Sequence, residues 1–260
     1  MKTKTPILDK PCLGWIADLP SPADQPIDTP SLGLDNPNHQ DEVFLEIRRH
    51  SSKARGFMLF FLPIIVYPPI MATYYTISDW EHSKLDDTLL LVTPSILLAV
   101  WATCYFLRLE ISPPRDLPIR VNRARMRIYA YNFKYRWWNP FERRQVVVAV
   151  YEWSQVRAEK WRLRGINGQG GITIIWGVEL SIVKPGTNEV IDRFPLSAMG
   201  ADEFAWAYIC TYMQQGPDAL PVLGPPYDHN DVPWYNLALR LAPKVQWPKE
   251  IDIESRTAPE

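Results

Sequence analysis

The sequence predicts an α+β protein: a two-helix transmembrane hairpin, then an antiparallel barrel-like domain with a closing C-terminal helix. Three observations predict this class. Two uncharged apolar runs, Phe57–Ile77 and Leu89–Leu107, stand about a dozen polar residues apart. Each is long enough to cross a hydrocarbon core of roughly 30 Å as a helix. After them the chain turns β-rich for about eighty residues and then shows one helical stripe.

The tail, residues 1–40, is rich in Pro, Asp and Ser and lacks periodicity, so it reads as irregular chain. Ile7, Leu8, Leu13, Trp15, Ile16 and Leu19 offer it points of docking. Within residues 41–56, Val43, Phe44, Ile47 and His50 recur at helical spacing, which predicts a short juxtamembrane helix. Residues 57–110 form the hairpin. Pro63, Pro68, Pro69 and Pro94 interrupt it, and the Pro68–Pro69 pair predicts a kink or a break. Neither span holds an ionisable residue, which argues against a transport pathway. Tyr67, Tyr74, Tyr75, Trp80 and Tyr105 stand mostly toward the span ends, as interfacial aromatic residues do.

Residues 117–216 read as the strand-rich domain. Strands are expected at Met126–Phe133, Val146–Trp153, Val156–Leu163, Ile172–Val183 and Val190–Pro195. Gly177 marks a candidate bulge, and Lys184–Asn188 is a turn between the last two strands. A helix follows, started by Ser197 or Asp202, striped by Phe204, Tyr208, Ile209 and Tyr212, and stopped at Gly216–Pro217. Residues 217–260 form a Pro/Trp-rich extension.

A net charge of −1 over 260 residues conceals an uneven distribution. Residues 108–164 carry 14 Lys/Arg against 5 acids, and residues 165–260 carry 6 against 12. Arg48, Arg49, Lys53 and Arg55 precede the first span, Arg108, Arg115 and Arg120 follow the second, and the loop between has only Lys84. The positive-inside rule then places both termini in the cytoplasm. The first thirty residues lack the apolar core of a signal peptide, so the first span is the expected targeting element.

The strongest functional candidate is the basic block. Arg123, Arg125 and Arg127 alternate, which on a strand places them on one face. Lys134, Arg136, Arg143 and Arg144 surround Trp137 and Trp138. Two readings stay open: a surface for anionic head groups or a partner, and a positive-inside flank with its tryptophans in the core. Basic residues among aromatics also suit single-stranded nucleic acid, but membrane tethering argues against it, and no nucleic-acid partner is expected.

Catalytic signatures are missing: there is no GxSxG, HExxH or Walker loop. The run Gly165–Gly171 lies between two strands rather than before a helix, so it reads as a hairpin loop. Cys12, Cys104 and Cys210 are far apart, with no metal or disulfide spacing. Asp228, His229 and Asp231 form a small polar group between prolines, read as a solvated turn rather than a metal site. No metal, no cofactor and no enzymatic activity are expected.

Two resemblances add to this. The segment Tyr151–Glu152–Trp153–Ser154–Gln155–Val156 is similar to the tryptophan-containing strand of bacterial pleckstrin-homology-like domains that follow a two-span hairpin. The whole layout, with Arg136–Trp137–Trp138–Asn139–Pro140–Phe141 and Gln246–Trp247–Pro248–Lys249–Glu250–Ile251, resembles an uncharacterised family of bacterial inner-membrane proteins often encoded beside type VI secretion clusters and their toxins. That resemblance implies an inner-membrane location and a role near toxin delivery. The expected function is a non-enzymatic, membrane-anchored interaction protein, as a toxin immunity or secretion accessory factor. The alternatives are an anionic-lipid-sensing module and a membrane enzyme of unknown reaction.

Overall fold

The computed structural model describes residues 5–33, 36–49, 55–78, 85–136, 139, 141–142, 145–166, 172–197, 202–221, 224–226, 228, 230–259. Among them are nine strands: β1 Trp15–Asp18, β2 His39–Gln40, β3 Phe44–Ile47, β4 Ile119–Asn122, β5 Arg127–Lys134, β6 Gln145–Glu152, β7 Val156–Ile166, β8 Ile172–Val183 and β9 Val190–Ser197. The α-helices are α1 Leu62–Ser78, α2 Leu85–Ile111, α3 Asp202–Gln215, α4 Leu237–Leu241 and α5 Lys249–Arg256.

Every strand pair is antiparallel, and the strands make two sheets, β1-β7-β8-β9 and β2-β3-β4-β5-β6. The two-residue period of a strand sets which side chains meet between them. Leu45, Ile47, Ile119, Val121, Ile128 and Ala130 come from one sheet, and Val156, Ala158, Val178, Leu180, Ile182, Phe194 and Leu196 from the other. Together with Trp206, Tyr208, Ile209, Tyr212 and Met213 of α3 they form one buried cluster. Each fully buried Leu, Ile or Phe contributes about 1.5–3 kcal/mol by leaving water. Helix α3 touches β4, β8 and β9, so it packs against both sheets.

The chain leaves β6 through a 3-10 turn, Trp153–Gln155, and enters the other sheet as β7. Trp153 is buried there and packs on Trp206, with ring centroids 5.4 Å apart. The barrel therefore does not close. Two sheets face each other instead, because the corner moves the chain from one to the other and α3 fills the space between them.

Three further expectations are corrected. Residues 44–47 form the strand β3, not a juxtamembrane helix. Asp41 accepts from Val43 N at 2.7 Å and Phe44 N at 2.8 Å, which turns the chain so that β3 pairs with β4. All four residues of β3 are buried, so no helical stripe exists; the β-rich Phe-Leu-Glu-Ile run fits a sheet covered on both faces. Gly177 pairs regularly with Trp161, and the register shifts next to it, between Val178 and Glu179 against β9. Finally, α1 runs unbroken through Pro68 and Pro69, so the pair does not split the first span in two.

The tail is not loose. Strand β1 pairs with β7, and Leu8 and Cys12 are buried. Gly14 makes this approach feasible: its φ is +75°, and a Cβ there would stand 2.6 Å from the Arg162 carbonyl oxygen.

Two helices are long and apolar enough to cross a membrane, with windows Phe57–Tyr75 and Val92–Ile111. Of their described residues only Glu110, at the base of α2, is buried inside the protein, which separates them from the core helices of a soluble domain. The start of the first helical segment meets the end of α2, so the two run antiparallel.

Candidate functional site

The basic block divides. Arg123 and Arg125 lie in the turn between β4 and β5, and only Arg127 begins a strand, so the three do not share a strand face. All three are engaged within the chain. Arg123 lies 3.5 Å from Glu42. Arg125 donates to the Thr257 and Ala258 carbonyls at 2.9 and 3.0 Å. Arg127 bridges Glu152 at 3.0 Å and Glu254 at 2.8 Å, contacts that raise its pKa and lower that of Glu254. Arg125 and Arg127 thus meet the C-terminal extension, and Arg123 meets the β2–β3 turn. The remaining candidates belong to the β5–β6 tip: Lys134 is exposed at the end of β5, and Arg136 stands 3.3 Å from Glu142. Trp137, Trp138, Arg143 and Arg144 lie outside the described residues, as does His229.

Two buried polar clusters, which pattern reading did not single out, explain how the termini attach. In the β2–β6 sheet the outward residues are Glu46 of β3, Arg120 and Asn122 of β4, and Tyr129 and Tyr131 of β5. Arg120, with a side chain 1% exposed, pairs with buried Glu46, with Asp252 at 2.6 Å and with Ser255 Oγ at 2.9 Å. Its guanidinium lies 4.3 Å from the Trp247 ring centroid. Asn122 donates to the Ser255 and Thr257 carbonyls, and the Tyr129 hydroxyl to Glu254 at 2.9 Å. The Pro/Trp-rich extension thus covers this sheet.

The tail does the same for the other sheet. Glu159, fully buried on β7, accepts from Cys12 N at 2.9 Å and from the Ser181 hydroxyl, and lies 3.4 Å from Arg193. Arg193 also donates to the Lys10 carbonyl. Glu179 lies directly across the strand pair from Glu159. Burial pushes its carboxyl up to about 7, with Glu159 adding to the rise and Arg193 and Arg49 opposing it. Burial also pushes the Cys12 thiol up to about 12, so it is an inert packing group. Arg49 joins the two sheets: it donates to the Leu117 carbonyl at 2.6 Å, the Tyr131 carbonyl at 2.6 Å and the Pro195 carbonyl at 3.2 Å.

A reciprocal clamp holds the hairpin ends. Glu110, buried near the end of α2, accepts from Gly56 N at 2.6 Å and Met58 N at 3.1 Å, where the first helical segment starts. Arg55 donates to the Glu110 carbonyl at 2.7 Å, to the Pro114 carbonyl at 2.7 Å and to the Pro113 carbonyl. Each charge meets the helix end of opposite partial charge. Desolvation lowers the Arg55 pKa to about 10, with Glu110 opposing. In sequence, a lone Glu near the end of an apolar run and an Arg just before another were the available signal.

The remaining conspicuous surface is apolar. Beyond the strands that flank them, β7 and β8 continue as an arm, Leu163–Ile166 with Ile172–Trp176. Ile172 is 76% exposed, Trp176 44%, and Ile174 and Ile175 are exposed too. Among the described residues no further strand pairs with either edge of this arm. Such an arm offers backbone donors and acceptors together with β-branched side chains, the elements of strand addition.

No group of His, Cys, Asp and Glu suited to a metal exists among the described residues. A cleft under the tail holds Asp18, Asp24 and Arg157. The two carboxylates accept from Ile7 N, Trp15 Nε1 and Ser21 N, so they fold the tail rather than forming a nucleophile–base pair.

Neither a curated protein nor a solved structure matches the chain. A family model does match, over more than half its length, from within α2 through β4–β9 and α3 to the C-terminal extension: the chain belongs to DUF6708, a family of unknown function, matched at residues 96–259.

Proposed function

We propose that this protein is a non-enzymatic, membrane-anchored interaction module whose hairpin crosses the bacterial inner membrane with both termini in the cytoplasm. The observation that carries the reading is the β7–β8 arm. Arg120, Arg125, Arg127 and Arg193 hold the domain's own termini, whereas the arm exposes Ile172, Ile174, Ile175 and Trp176 beside strand edges that no other strand pairs with among the described residues. A strand of a partner protein satisfies both needs at once. The resemblance to families encoded beside type VI secretion clusters makes that partner a toxin or a secretion component, and the protein an immunity or accessory factor. The two-sheet arrangement with α3 packed on both is compatible with a pleckstrin-homology-like domain, although its strand order carries an added β1 from the tail.

The test is a photo-crosslinking residue at Ile174 of the full-length protein in its native membrane. A discrete adduct with a toxin or secretion component, lost on Trp176→Lys, is expected. Adducts with lipid alone would overturn the reading.

Among the described residues of the basic block, the anionic-lipid reading rests on Lys134 and Arg136. Arg108 of α2 donates to the Glu142 carbonyl at 3.3 Å, so the β5–β6 tip lies beside the hairpin. Reversal of Lys134 and Arg136 is the informative experiment, because reversal at Arg123, Arg125 and Arg127 would first release the C-terminal extension.

A further inference from the structure

The hairpin base carries a second apolar surface, contributed from far along the chain. Helix α4 docks on α2 through its buried residues Ala238 and Leu239. Asn236 caps it, accepting from Leu239 N at 3.0 Å, and donates to the Arg55 carbonyl at 2.9 Å. Arg115, just past α2, donates to the Leu239 carbonyl at 3.2 Å and the Asn230 carbonyl at 2.6 Å. These contacts fix the segment against the clamp that closes the hairpin.

What the segment turns outward is unusual for a water-exposed surface. Trp234 is 83% exposed and Tyr235 72%. Leu237 and Leu241 stand four residues apart, so they share a helix face, and both are exposed. Tyr235 and Leu237 line one cleft with Phe57 and Phe60, which belong to the first apolar window. The exposed patch is thus continuous with the lipid-facing surface of the hairpin. It combines a Trp and a Tyr with aliphatic residues, and Arg240 follows on the same helix. Amphipathic aromatics beside a basic residue suit the boundary between headgroups and acyl chains.

We propose that Pro233–Leu241 is an interfacial anchor, which lies in the headgroup–acyl boundary of the bilayer crossed by the hairpin and holds the sheet domain against the membrane. Trp234, Tyr235, Leu237 and Leu241 enter the boundary, and Ala238 and Leu239 tie them to α2. This rests on the hairpin crossing the bilayer.

A nitroxide-bearing amino acid placed singly at Tyr235, Leu237, Leu97 or Lys184 of the full-length protein in lipid nanodiscs tests it. Accessibility to oxygen is compared with accessibility to a water-soluble nickel chelate. Leu97 reports on the hairpin, and Lys184, in the exposed β8–β9 turn, reports on water. The expected result is a severalfold oxygen preference at Tyr235 and Leu237, intermediate between Leu97 and Lys184. An aqueous signal at both, with Leu97 in lipid, overturns the anchor and leaves the span intact. Shielding from both reagents means that protein covers the patch, and overturns it as well. An aqueous Leu97 overturns the spanning reading and the anchor with it.

Discussion

Replacing Arg120 by Leu is expected to lift the C-terminal extension off its sheet. In the folded protein Arg120 is 1% exposed and Glu46 3%, whereas Asp252 is 35% exposed. Removing one partner of a buried ion pair costs about 3–5 kcal/mol, because the remaining charge stays buried without the opposite charge of its partner; Glu46 keeps neutral donors such as the Asn38 amide at 3.3 Å. The stacking on Trp247 is lost as well, worth about 1–2 kcal/mol where desolvated. Asp252 still reaches water, but Glu46 reaches it only if the extension moves away. The backbone ladder between β3 and β4 involves none of these side chains. The cost therefore falls on the docking of Trp247 and α5, not on the sheet. At about 1.4 kcal/mol per tenfold, a loss of 3 kcal/mol is roughly a hundredfold in the opening equilibrium. Hydrogen exchange by mass spectrometry on the full chain in nanodiscs reads this directly. Amides of Asp252–Arg256 should lose protection by that factor while those of Val178–Val183 keep theirs. Adding Glu46→Leu should restore most of the protection, since neither buried charge of the pair remains. Unchanged protection in Arg120→Leu, or a double variant as open as the single one, would refute the reasoning.

Other perturbations follow from the same geometry. Glu179 has a folded pKa of about 7 against an ordinary 4.5, so the folded state binds its proton more tightly than the unfolded state. Stability is then highest below about 4.5, falls as pH rises to about 7 and stays level above, a loss on the order of 3 kcal/mol; Glu179→Gln should flatten this profile in thermal melts and raise stability at pH 8. Glu110→Ala removes two amide-to-carboxylate bonds at the hairpin base, each worth about 1.5–3 kcal/mol. Trypsin in detergent micelles should then cut after Arg115 at least tenfold faster, and an unchanged rate would mean that the clamp is not closed by Glu110. Gly14→Ala meets both a left-handed φ and the Arg162 carbonyl, so amides of Trp15–Asp18 should exchange faster while α3 is unaffected; equal exchange would show that β1 does not need the glycine.

Much of the frame was legible in the sequence. The apolar runs are long and uncharged, and hydrophobic length is a local property. The β8 strand was expected at Ile172–Val183 and runs over those residues, because a long β-branched run ended by Lys-Pro-Gly admits few other structures. The closing helix follows from its four-residue stripe and its stop at Gly216–Pro217.

What the sequence alone did not determine is which element covers which face. Glu46 and Arg120 are 74 positions apart, with the hairpin inserted between β3 and β4, and nothing local to either announces the other. Arg123, Arg125 and Arg127 read as a free basic face because alternation reports the geometry of an assumed strand, not the turn that replaces it, nor Glu42, the α5 carboxylate and the terminal carbonyls that meet these arginines. Residues 44–47 read as helix because a four-residue apolar pattern fits both periods, and only the adjacent β4 decided between them. Hydrophobic length, turn chemistry and caps act between near neighbours, so one sequence determines them. Outer-face burial, the buried arginines and the apolar patch at the hairpin base depend on segments brought together from opposite ends of the chain, and only the tertiary structure decided those.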